Sequence, residues 1–132
     1  MTTPLKVFFE KSPSSKDLFD VLVVYVITRF PKTTIHIEET QIAFKSTHPY
    51  AAVWIPLKPI KDHPNAKLIL SLGLDKELKD PHIIQTDHPY PDRWMIHFKL
   101  EKKEDIDETL LHYLDLAHTF SLTKTKTPKV KP

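Results

Sequence analysis

Hydrophobic and polar residues alternate with a period of two along much of the middle of this 132-residue chain, a pattern typical of β-strands. The clearest case is 67–74, where leucines at every second position share one face. The alternation predicts strands over 33–38, 41–46, 50–57, 67–74 and 93–100, with 81–86 as a further short candidate. The cluster at 87–92, DHPYPD, is rich in turn residues and predicts a break in the chain.

Apolar residues recur at helical spacing near both ends of the chain. Residues 5–9 predict one helical turn packed on the core, and 15–29 predict a longer helix that ends before Pro31. The β-branched run at 21–27 argues for a strand there, but the capping-box pattern at 14–17, SSKD, and the length favour a helix. Asp105 and Glu108 form a second capping-box pattern before a closing helix that runs to about Phe120.

This order of elements predicts an α+β fold. Links of hairpin length favour an antiparallel sheet of four to five strands, with the N-terminal and C-terminal helices packed on one face. Residues 1–120 then form a single domain. Residues 121–132 lack an apolar pattern and are expected to be a basic, disordered tail.

Composition excludes several classes of protein. The chain has no cysteine, which rules out disulfides and thiolate catalysis. It has twelve prolines but only one glycine, and a glycine-rich phosphate-binding loop needs more than one. The longest apolar run, 21–27, is too short to span a bilayer, and no signal peptide is visible, so we expect a cytoplasmic location. The net charge of the chain is +2, and without the four lysines of residues 121–132 the charge of residues 1–120 is −2. A domain that binds nucleic acid usually carries a basic face, so this charge disfavours nucleic-acid binding by residues 1–120.

Three short motifs carry a resemblance to a known family. Residues 39–44 match a K-T-Q-I-x-F-like strand with Glu39 in place of Lys, 51–56 match an aromatic strand of the a-W-V-W-L-P kind, and 93–97 match R-W-x-x-H. On these motifs, residues 8–120 resemble the small prokaryotic domain-of-unknown-function family 5655. A family s-p-R-I segment appears as 80–83, with His82 at the Arg position. Because that family is uncharacterised, the resemblance implies the fold and no activity.

The candidate binding residues lie on neighbouring predicted strands. Arg93 and His97 are four residues apart and share a strand face, whereas Arg93 and Trp94 face opposite ways. Such a face could stack a planar ligand and hold an anion. The alternative is that the tryptophans fill the two sides of the sheet while Arg93 and His97 face solvent. The residues proposed for the ligand site are Gln41, Lys45, Trp54, Arg93 and His97.

Patterns for metal or hydrolase chemistry are absent from the sequence. There is no H-E-x-x-H and no G-x-S-x-G, and no serine stands beside a plausible base. His112 and His118 are six apart, on different faces of a helix. We therefore predict neither a metal nor a cofactor, while general acid–base work by His97 stays open.

No motif names a reaction. The leading hypothesis is a non-catalytic binding or protein-interaction module, with an unknown protein or small ligand as partner and a homodimer left open. The alternative is a small-ligand-binding protein or enzyme that uses a sheet-face pocket near Arg93 and His97. A third hypothesis is weak, non-specific nucleic-acid contact through Lys124, Lys126, Lys129 and Lys131.

Overall fold

A computed structural model describes residues 4–10, 12–56 and 58–123 of the chain. Three helices and six strands follow one another in the order helix, helix, six strands, helix. They are α1 (Pro4–Phe9), α2 (Pro13–Arg29), β1 (Thr34–Ile37), β2 (Ile42–Lys45), β3 (Pro49–Trp54), β4 (Leu68–Leu74), β5 (Ile83–Tyr90), β6 (Arg93–Leu100) and α3 (Glu108–Leu122). A single 3₁₀ turn at Lys103–Asp105 precedes α3.

The six strands form one antiparallel sheet in the order β1-β2-β3-β4-β6-β5. The predicted α+β class is confirmed, but the sheet has six strands instead of four to five. The difference lies in β5, which runs on to Tyr90 through residues expected to break the chain. Since β5 is an edge strand, Pro89 can sit in it without removing a hydrogen bond from the middle of the sheet.

The core lies between the helices and one face of the sheet, here called the inner face. Phe44, Leu70 and Phe98 point inward from the sheet and are almost completely buried. They belong to one cluster with Leu22 of α2 and Leu114 of α3. The alternation read from the sequence therefore assigned the inner face correctly, and the helices pack on that face as predicted. At α1, Phe8 and Phe9 are buried as expected.

Both predicted capping boxes are wrong. Helix α2 begins at Pro13, because Pro suits the first helical turn, and Ser15 is instead buried with its hydroxyl donating to the Lys67 carbonyl. At α3 the capping residue is Asp107, whose carboxylate accepts from the Leu110 amide at 2.9 Å. Asp105 accepts from the amides of the residues before the 3₁₀ turn. Helix α3 reaches Leu122, and residues 124–132 of the predicted tail lie outside the described residues.

No helix within 4–10, 12–56 and 58–123 combines the length and apolar character needed to cross a lipid bilayer.

Aromatic rings join the end of α2 to α3 and β3. The His118 ring stacks on Phe30, with centroids 4.0 Å apart, and meets Tyr50 edge-on at 5.0 Å. The Tyr50 hydroxyl shares a 2.8 Å hydrogen bond with the buried Thr33 hydroxyl. Burial lowers the pKa of His118 below its usual value, against the opposing effect of nearby Asp115. The folded chain therefore favours the neutral His118 ring.

We expect this aromatic contact to make stability depend on pH. The unfolded chain protonates His118 near pH 6.5, whereas the folded chain does so only at lower pH. The contribution of His118 to the free energy of unfolding is thus present above about pH 6.5 and is lost as pH falls toward the folded pKa. Urea unfolding at several pH values should show a smaller acid loss for His118→Gln than for the wild type. His112→Gln, exposed on the same helix, should match the wild type. An equal acid loss in wild type and His118→Gln would contradict this assignment.

Candidate functional site

The face of the sheet opposite the helices, here called the outer face, carries a pocket of about 270 Å³. Its floor is made of small residues on the three strands β2 to β4, namely Ala43, Ala52, Ser71 and Gly73. Three of them lie in one cross-strand row, since Ala43 pairs with Ala52 and Ala52 with Ser71. Small side chains on adjacent strands lower this part of the face, and larger side chains stand around it. The larger ones include Gln41, Trp54, Arg93, Met95 and His97.

Four of the five residues proposed from the sequence meet at this outer-face pocket. Gln41 immediately precedes β2, Trp54 lies in β3, and Arg93 and His97 lie in β6. Lys45 is not among the lining residues; it lies where the register between β2 and β3 shifts. Arg93 and His97 both face the pocket because residues four apart on a strand point to the same side of the sheet.

Arg93 lies across the single glycine of the chain. A Cβ added to Gly73 would come within 3.3 Å of the Arg93 Nη2 atom and 3.6 Å of Met95 Sδ. No glycine in the described residues has a positive φ, so the backbone of β4 does not require glycine at this position. The reason for Gly73 is space: the missing side chain lets the guanidinium lie close to the floor of the pocket.

A chain of hydrogen bonds crosses the outer face from β3 to β5. Trp54 Nε1 donates to Ser71 Oγ at 3.1 Å, and Ser71 Oγ lies 2.7 Å from His97 Nδ1. His97 Nε2 lies 2.9 Å from Asp87 Oδ2, and Gln85 Nε2 donates to Asp87 Oδ1 at 2.9 Å. The expectation that no serine stands beside a base is therefore wrong. Ser71 and His97 are far apart in sequence, and the register of β4 with β6 pairs them.

Elementary chemistry decides the direction of these bonds. The hydrogen bond from Gln85, and then that from His97, lowers the pKa of Asp87, so its carboxylate is ionised and can only accept. The proton on His97 then lies on Nε2, which leaves Nδ1 of the neutral ring to accept from the Ser71 hydroxyl. Both ring nitrogens of His97 are thereby occupied. Its part in the site is to orient Ser71 and, through Ser71, the Trp54 indole.

This arrangement does not suit acyl transfer by Ser71. The Ser71 side chain is only 6% exposed and already accepts the Trp54 N–H. It lies in the middle of β4, which is paired with β3 on one side and β6 on the other. Backbone amides used in those ladders cannot also stabilise an oxyanion. The polar chain therefore supports the shape of the pocket.

The model of the family described as Domain of unknown function (DUF5655) matches residues 6–121. This chain belongs to that family. The resemblance read from the three motifs is thereby confirmed, while a prokaryotic origin stays a prediction. A search of curated proteins and a search of solved structures found no match.

A second cluster of this DUF5655 chain was not found by sequence reasoning. His82 lies between two carboxylates, with Nδ1 3.1 Å from Asp80 and Nε2 3.2 Å from Asp105. The Tyr113 hydroxyl donates to Asp80 at 3.4 Å. These residues border a pocket of about 90 Å³ beside the start of α3. Within 4–10, 12–56 and 58–123, no three His, Asp or Glu side chains are placed to hold a metal ion. The cluster links the segment before β5 to the turn before α3.

The substitution Gly73→Ala tests whether glycine is needed here to leave room for the Arg93 side chain or to allow a particular backbone conformation. Glycine in a strand costs about 0.5–1 kcal/mol relative to alanine, and the new Cβ meets only the ends of two flexible side chains, those of Arg93 and Met95. We expect Gly73→Ala to leave the free energy of unfolding unchanged or to raise it by up to about 1 kcal/mol while displacing the guanidinium. Urea unfolding measures the first effect. A loss well above about 1 kcal/mol would contradict the expectation that Arg93 and Met95 move aside at little cost.

Proposed function

We propose that this DUF5655 domain is a small-ligand-binding module whose outer-face pocket binds a small anion that carries a flat apolar group. The observation that carries the proposal is the position of Arg93. Its guanidinium lies in the pocket over Gly73 and forms no ion pair with a carboxylate of the described residues. The contact that it does make, to Met95 Sδ at 3.7 Å, is weak.

The charge of Arg93 favours an anionic ligand. A guanidinium holds its proton throughout the physiological range and presents planar donors that match a carboxylate, sulfonate or phosphate. The other arginine, Arg29, is bound to Asp115 between α2 and α3. A half-buried cation without a carboxylate partner is costly unless an anion or water satisfies it. An anionic ligand would supply the hydrogen bonds that the protein does not.

The rest of the pocket favours a small, flat group beside the anion. The floor is alanine, serine and glycine, and the Trp54 indole lines the pocket and is held by its hydrogen bond to Ser71. Indole faces stack on planar groups. The volume of about 270 Å³ lies just below the range of roughly 300–1,000 Å³ that is typical of small-molecule pockets, which suits a ligand of one ring with one acidic group.

Thermal-shift titration with benzoate, benzenesulfonate and phenyl phosphate tests the proposal. A ligand that binds the native state alone raises the melting temperature by mass action. We expect a shift from at least one of these aryl anions and none from the uncharged benzyl alcohol. Arg93→Ala should remove the shift, and Gly73→Ala should reduce it because the guanidinium is displaced.

Arg29→Ala is the matched control, since it removes the other arginine on the opposite side of the sheet. It should lower the melting temperature of the free protein only slightly, because the Arg29–Asp115 pair is exposed to solvent, and it should leave the ligand-induced shift intact. If Arg93→Ala retains a full shift, the anion site is elsewhere. If no aryl anion shifts the wild type, the proposed ligand class is wrong.

A second candidate function is self-association through α2. This helix presents apolar side chains to solvent, with Val24 64% and Tyr25 42% exposed and Ile27 three residues beyond Val24. Exposed apolar side chains clustered on one helix are typical of interaction surfaces. This candidate corresponds to the protein-interaction hypothesis, and a second copy of the chain is the partner we propose.

Sedimentation velocity tests the second candidate. A dimer is expected for the wild type and a monomer for Val24→Glu, because a charge in an apolar interface costs several kcal/mol. Tyr90→Glu, which adds the same charge at an exposed residue of the edge strand β5, should remain dimeric. A monomeric wild type would exclude this use of α2. Nucleic-acid contact through 124–132 lies outside the described residues and stays a prediction, as does a cytoplasmic location.

A further inference from the structure

We propose that anion binding in the outer-face pocket is coupled to proton uptake by His97, with the Ser71 hydroxyl as the group that changes its role. This inference rests on the proposed function and states how the same site is regulated. It follows from the geometry of Trp54, Ser71, His97 and Asp87 across three bonds of 3.1, 2.7 and 2.9 Å.

The hydroxyl of Ser71 has one proton to donate and two lone pairs to accept with. Trp54 Nε1 is a donor only, so one lone pair of Ser71 Oγ always accepts the indole N–H. When the His97 ring is neutral, with its proton on Nε2 facing Asp87, Nδ1 accepts the Ser71 proton. In that state Ser71 has no donor to offer a ligand.

Protonation of His97 reverses the bond to Ser71. Nδ1 then carries a proton and donates to Ser71 Oγ, whose two lone pairs are now both occupied by His97 and Trp54. The Ser71 hydroxyl can then no longer point its proton at His97. Because Ser71 lines the pocket, the proton can point at a bound ligand instead. The pocket therefore gains an O–H donor and a nearby positive charge in a single protonation step, and both stabilise a bound anion.

Charged groups around His97 are compatible with this step. Asp87 on β5 faces Nε2 and accepts from it in either state, because its lowered pKa keeps it ionised. On β6 the same face holds Arg93 and Lys99, and Lys99 is paired with Glu101 at 3.2 Å. The neighbours on β3 and β4, Trp54 and Ser71, do not titrate near neutral pH. At the far side of the pocket, Gln41 donates to Glu38.

Benzenesulfonate is the probe for the experiment, because the anion of a strong acid keeps its charge across the pH range used. We expect NMR titration of the full chain to give about tenfold tighter binding at low pH than at high pH, on either side of the range in which histidine titrates. Ring ¹⁵N shifts of His97 should show the Nε2–H tautomer at high pH. They should also show that saturating benzenesulfonate keeps the ring doubly protonated to higher pH.

Two variants separate the parts of the coupling. His97→Gln should bind benzenesulfonate with the same affinity at both pH values, while His112→Gln on α3 should keep the wild-type dependence. Ser71→Ala retains the His97 charge but lacks the hydroxyl donor, so its gain at low pH should be smaller than that of the wild type.

Failure of the proton coupling and failure of the proposed anion site would give different results. Binding that needs Arg93 but is equal at both pH values would overturn the proton coupling and leave the anion site standing. A free-protein His97 in the Nδ1–H tautomer at high pH would overturn it as well, whether or not the probe binds. Absence of benzenesulfonate binding at both pH values would count against the proposed function itself.

Discussion

The burial of β4 on both faces is the constraint on which the rest of this structure depends. All seven of its residues are buried, although helices cover only the inner face. On the outer face the cover comes from side chains of the neighbouring strands, chiefly Trp54, Arg93 and His97. Because these long side chains extend over a floor of small residues, β4 is shielded from solvent and a pocket still remains between the long side chains and the floor. The pocket is thus a consequence of how β4 is buried.

The polar side chains that cover β4 on the outer face need hydrogen-bond partners, and most of them find these partners in one another. The chain from Trp54 to Asp87 uses both ring nitrogens of His97 and the single indole donor. These hydrogen bonds hold the indole and the neutral imidazole in fixed positions at the pocket. The guanidinium of Arg93 differs, because no carboxylate of the described residues pairs with it. Arg93 is therefore the group of this face that we propose to bind the anionic part of the ligand.

Much of the fold follows from local pattern. The alternation of leucines in β4 and of aromatic and aliphatic residues in β6 predicted both strands to the residue or nearly so. Local pattern failed at β5, where His88, Pro89 and Asp87 indicate a turn, and at the helix starts, where Pro13 and Asp107 determine the first residue. At β5 a neighbouring element decides the outcome, because β6 supplies the pairing that extends the strand. At α2 the helix already begins at Pro13, so Ser14 lies within the first turn and not at the capping position.

The sequence by itself determined the α+β class, the inner and outer faces of the main strands, and the placing of Arg93 and His97 on one side of β6. Each of these depends on a repeat of two or of 3.6 residues, which any short segment displays. The tertiary structure alone decided that Ser71 meets His97, that Asp87 completes the chain, and that Gly73 makes room for Arg93. Those contacts join residues on different strands. The register of β4, β5 and β6 sets them, and register arises from the packing of the whole sheet and not from the residues of any one strand.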